Sequence, residues 1–88
     1  MAEVLFTNGD KQIIPCPSLE EMQKIVGGYV ERLSLADERA MYLNEDGKAL
    51  NLPRNEMATF LGDLAGIAAD DFIVGNVVIL SKEEESSQ

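Results

Sequence analysis

The chain has 88 residues, room for one hydrophobic core and no second, and with 45% hydrophobic residues it can fold without a metal or disulfide framework. A single cysteine, Cys16, and the absence of histidine exclude an intramolecular disulfide, a Cys/His zinc site and Ser/His or Cys/His nucleophilic catalysis. The formal net charge of −9 opposes contact with phosphate backbones and suits basic proteins, neutral small molecules or cations, although acidity of this size also serves solubility alone.

The start of the chain, Met1 to Asn8, has neither a positive segment nor a long apolar core and reads as mature structure rather than a secretion signal. No stretch approaches the roughly 20 apolar residues of a membrane span. A cytoplasmic protein is expected. Val4 to Thr7 and Lys11 to Ile14 flank Asn8-Gly9-Asp10, a strong hairpin signal because both Asn and Gly tolerate positive φ. Pro15 and Pro17 lack the donor a strand ladder needs and end the second strand. Ser18 with Glu21 forms a capping box, and Leu19, Met22, Ile25 and Val26 share one face of the helix that follows; Gly27-Gly28 stops it.

Tyr29 to Leu35 and Arg39 to Asn44 have strand character around the polar turn Ala36-Asp37-Glu38. Asn44-Glu45-Asp46-Gly47 predicts a second hairpin turn, with a short return strand over Lys48 to Leu52. Asn55 is the expected cap of a helix that aligns Met57, Phe60, Leu61 and Leu64 at i, i+3, i+4 and i+7, the stripe expected to face the core. Phe72 to Leu80 reads as a doubly buried central strand, or as a short segment and a strand separated by a bend at Gly75-Asn76. Ser81 to Gln88 has no apolar residue. The expectation is an α+β fold of order β-β-α-β-β-β-α-β, with two helices packed on a mixed, mainly antiparallel sheet: one domain over residues 1–80 and a disordered acidic tail over 81–88.

Few residues point to chemistry, and no enzymatic activity is expected. Cys16 reads as a small packed side chain rather than a reactive thiol. Asn44 to Gly47 lacks the alternating carboxylates of a calcium loop, and Asp63 and Asp70-Asp71 read as solvated or capping residues; no metal or cofactor is predicted. Gly27-Gly28 follows a helix where a phosphate loop would precede one. Arg54-Asn55, at a helix start, could hold a phosphate or carboxylate, or serve as a cap with a salt bridge.

Three blocks in order, Ile25-Val26-Gly27-Gly28-Tyr29-Val30-Glu31, then Asn44 to Lys48 with Leu52-Pro53-Arg54-Asn55 and Ala58-Thr59, then Ile73 to Ile79, resemble the small domain of unknown function 3846. The resemblance covers about Val4 to Leu80. It implies no activity and no catalytic residue, but implies an origin in bacteriophages, bacteria or mobile elements, whose small acidic proteins often bind and block a host or defence protein. The leading expectation is a non-enzymatic acidic module that engages a basic protein surface, without direct nucleic-acid or membrane binding. The alternatives are a small-ligand binder using Arg54 and Asn55 with the Gly27-Gly28-Tyr29 loop, and a structural domain that homodimerises through an edge strand. The candidate surface comprises Gly27, Gly28, Tyr29, Glu31, Arg54 and Asn55.

Overall fold

The first hairpin forms where the Asn-Gly signal places it. In the computed structural model, which describes all 88 residues, β1 (Ala2–Leu5) pairs antiparallel with β2 (Lys11–Ile14), Leu5 opposite Lys11. The loop runs from Phe6 to Asp10, and within it only Gly9 takes a positive φ, 92°. Helix α1 (Leu19–Val26) opens with the expected capping box, Ser18 Oγ accepting from the Glu21 N–H while the Glu21 carboxylate accepts from the Ser18 N–H. It ends at Gly27. β3 (Val30–Ser34) and β4 (Ala40–Asn44) make the second hairpin.

β5 (Val77–Leu80), buried along its whole length, runs between β1 and β4, giving the order β2-β1-β5-β4-β3. Every neighbouring pair is antiparallel, so the sheet is not mixed. Alternation along the strands divides the core in two. One face gathers Leu5, Met41, Val77 and Ile79 with Ala58 of α2 (Glu56–Leu64); the other gathers Val4, Val78 and Leu80 with Met22 of α1. The two main helices therefore cover opposite faces of one α+β sheet. No helix is long and apolar enough to cross a membrane.

Several local expectations change, beginning with Cys16, which is exposed rather than packed. The predicted strand over Lys48 to Leu52 is absent: the Leu50, Asn51 and Leu52 N–H groups donate to the Asp46, Lys48 and Gly47 carbonyls, so local turns consume the donors a ladder needs. The run from Phe72 to Leu80 breaks at Gly75-Asn76, the second of its two readings; Val74 bridges to Arg54, and only Val77–Leu80 joins the sheet. The chain end is not disordered. It forms α3 (Lys82–Ser86), because Ser81 and Glu84 repeat the capping box of Ser18 and Glu21, and Glu85 bonds to Arg32 and Tyr42. The last change concerns α2. Of the expected core stripe, Leu61 packs against the core, but Met57, Phe60 and Leu64 are 41%, 63% and 60% exposed, while Ala58, Thr59 and Gly62 are buried.

Candidate functional site

Polar tethers set the rotation of α2. The Asn55 side chain accepts from the Ala58 N–H, capping the helix, and its Nδ2 donates to the Leu5 carbonyl at 3.0 Å and the Gly75 carbonyl at 2.9 Å. Thr59 Oγ1 accepts from the Ile73 N–H and donates to the Asn55 carbonyl. Both side chains are buried, and releasing them to turn Phe60 inward would leave several buried backbone groups without partners, each a loss of about 1–3 kcal/mol. The small face of α2 therefore meets the sheet and the large apolar residues stay outside.

The segments around the turn from Glu45 to Leu52 interlock. Asn44, only 4% exposed, donates from Nδ2 to the Val26 carbonyl and accepts at Oδ1 from the Asp46 N–H, joining the end of α1 to the turn. A Cβ on Gly47 would lie 2.8 Å from Val74, and one on Gly75, where φ is 78°, would lie 2.9 Å from Leu52, so neither position admits a side chain without displacement. The Gly75 N–H donates to the Pro53 carbonyl and the Asn55 N–H to the Ile73 carbonyl. The three blocks that carry the family resemblance thus contact one another.

Beside this knot lies a cavity of about 270 Å³. Leu33, Leu43, Ile67 and Phe72 give it an apolar wall, and Glu31, Glu45, Asp46 and Asp71 supply four carboxylates against one ammonium, that of Lys48. Lys48 pairs with Asp71, whose carboxyl is held below its ordinary value by that bond and by the Phe72 N–H. The Lys48 ammonium also lies 4.9 Å from the centre of the Phe72 ring, with the Arg54 guanidinium at 5.2 Å. Glu31, Glu45 and Asp46 join none of the chain's ion pairs, whereas six of its seven Lys and Arg residues do, leaving only Lys82. No cation within the chain answers these three carboxylates. No group of three or more Cys, Asp or Glu side chains is arranged to hold a metal ion.

Of the six residues singled out from sequence, Glu31 lines this cavity and the other five do not. Gly27, Gly28 and Tyr29 form the loop beside Asn44, with Tyr29 70% exposed and its carbonyl accepting from the Glu45 N–H. Asn55 is buried as the cap and tether of α2. Arg54 pairs with Glu56 at 2.5 Å and lies over Phe72. Sequence reasoning passed over Glu45, Asp46 and Phe72 as turn and strand residues; only the density of acids between Asn44 and Gly47 hinted at them.

On the opposite face of the sheet, Arg32 donates from Nε and Nη2 to the two Glu85 oxygens at 2.6 and 2.9 Å, and the Tyr42 hydroxyl donates to Glu85 at 2.5 Å. Arg32 first, then Tyr42, hold the Glu85 carboxyl down to about 2. Burial, with Glu85 second, raises the Tyr42 hydroxyl.

No curated protein and no solved structure matches this chain. Residues 1–88 match the family model described as Domain of unknown function (DUF3846), and the chain belongs to that family.

Proposed function

We propose that this protein is a non-enzymatic interaction module that receives a cationic side chain, lysine or arginine, of a basic protein partner in the cavity between β3, β4 and Phe72. The observation that carries this reading is the trio of unpaired carboxylates, Glu31, Glu45 and Asp46, lining an apolar-walled cavity in a chain whose cations are nearly all paired with other groups. Lys48 is an internal precedent for the mode of binding, with its ammonium on a carboxylate and over the Phe72 ring. The volume of about 270 Å³ lies below the range of roughly 300–1,000 Å³ common for whole small-molecule ligands and suits one long side chain. In a phage or mobile-element setting, the partner is a host or defence protein of the cytoplasm with a basic surface. The net charge of −9 speeds its approach at low salt.

Pull-down from a bacterial lysate, read by mass spectrometry at low and high salt, tests this. The variant Glu31→Gln/Glu45→Gln/Asp46→Asn is compared with Glu20→Gln/Glu38→Gln/Glu83→Gln, which removes the same charge away from the cavity. A partner kept by the wild type and the control, released by salt and lost with the cavity variant is expected. With each exposed pair contributing about 0.5–1 kcal/mol, the cavity variant should bind roughly 10–100-fold more weakly. Equal loss in both variants would reduce the effect to net charge and defeat the reading.

A further inference from the structure

The face of α2 turned away from its own sheet has no occupant within the chain. Met57, Phe60 and Leu64 form a ridge there, and Ile13, 51% exposed on edge strand β2, stands on the same side of the sheet as Leu5. Contiguous exposed apolar side chains of this size on a small domain mark an interaction surface. Beside the ridge runs a groove of about 550 Å³ floored by Leu5 and Leu61 and lined also by Met57 and Phe60. Its charged lining is two cations, Lys11 and Arg39, with two carboxylates, Glu3 and Glu56. Glu3 accepts from Lys11 at 2.8 Å and from Arg39 at 3.2 Å, so the charges are already matched at the groove's edge.

We infer that this face is a homodimer interface, in which the α2 ridge of each copy enters the groove of the other. Two properties select a second copy over a basic or acidic partner. The first is shape: a ridge and a groove side by side on one face exchange with each other under a two-fold axis, as an isologous contact requires. The second is charge. The groove is balanced, two against two, on a chain of net charge −9, whereas the cavity is four against one. A strongly basic partner would meet Lys11 and Arg39, and a strongly acidic one Glu3 and Glu56. A patch carrying both signs is complementary to itself. A standard interface covers about 800 Å² per partner, roughly a sixth of the chain's 5177 Å² surface. The dimer inferred here uses a helix face, where the alternative raised from sequence uses an edge strand. This inference goes beyond the cationic-cavity reading and stands apart from it, since groove and cavity share no lining residue.

Sedimentation equilibrium of the full chain across micromolar to submillimolar concentrations, at low and high salt, tests it with the variants Phe60→Asp, Phe60→Ala and Tyr29→Asp. The wild type should be a dimer that holds or tightens as salt rises, because salt screens the repulsion between two acidic copies. Binding to a basic partner would instead weaken with salt. Phe60→Asp should raise the dimer Kd by about 100-fold or more, as loss of a central aromatic contact does. Phe60→Ala, which adds no charge, should weaken the dimer too and decides the matter if Phe60→Asp does not fold. Tyr29→Asp, which adds the same charge at an exposed tyrosine outside the groove, should dimerise like the wild type. A wild type monomeric under all conditions, a dimer that survives both Phe60 variants, or a dimer lost equally in Tyr29→Asp would overturn the inference.

Discussion

At the scale of single residues, Asn55 decides the most. It stands where a helix cap is expected, and its amide also reaches two carbonyls, one on β1 and one just before β5. Replacing it by Ala removes a cap and leaves the Leu5 and Gly75 carbonyls short of donors. Asn55→Ala should therefore destabilise the fold by about 2–4 kcal/mol in urea denaturation. A loss below about 1 kcal/mol would mean that the tethers do not set the rotation of α2. The cap was legible in the sequence because it depends on residues three apart. The tethers were not, because Leu5 and Gly75 come within reach only once β1 and β5 pair. Glu31 was singled out from sequence, but whether it is paired could not be read there: that depends on where Lys11, Arg32, Arg39, Lys48 and Arg54 settle in the fold.

Among the elements, α1 and α3 show how far local chemistry carries. Both begin with Ser-x-x-Glu capping boxes, yet only the first was expected to start a helix, because the second lacks an apolar stripe. α3 buries no residue and is held instead by Arg32, Tyr42 and the amino terminus acting on Glu85 and Glu84. Its attachment is thus polar. Glu85 has a folded value of about 2, below the unfolded value of 4.5, so its bonds stabilise the protein above pH 4.5 and are lost as pH falls toward 2. The contribution should be about 1–2 kcal/mol, discounted for partial exposure. In a carbon-detected NMR titration the Glu85 carboxyl should titrate near pH 2, and in Glu85→Gln the last turn should lose its protection from hydrogen exchange. Titration of Glu85 at an ordinary value would refute the docking. For α2 the helical period was legible but its orientation was not: Ala58, Thr59 and Gly62 face the sheet because they are small or carry a needed hydroxyl, and hydrophobicity alone favoured the other side.

The molecule as a whole places two unlike surfaces on the sheet face that α2 covers, an acid-lined cavity and a charge-balanced apolar groove. Neither was visible in the sequence, because each draws on segments brought together by strand order: β5, last of the strands in the chain, lies between β1 and β4 and carries Phe72 to Val74 to the cavity wall. The two hairpins that form were legible because their turns lie next to the strands they join, whereas the one expected at Asn44 to Gly47 gave way to local turns. The opposite salt responses of the two surfaces let a partner complex and a dimer be told apart in one sample, as the first loosens and the second holds when charges are screened.

The most direct measurement is an amide NMR titration of the protein with Nα-acetyl-lysine N-methylamide, a lysine side chain on a neutral backbone, at low and high salt. Shifts concentrated at Leu33, Leu43, Asn44 and Phe72, reduced by salt and absent in Glu31→Gln/Glu45→Gln/Asp46→Asn, are expected if the cavity receives a cationic side chain. Shifts spread evenly over the acidic surface, or none at all, would contradict it.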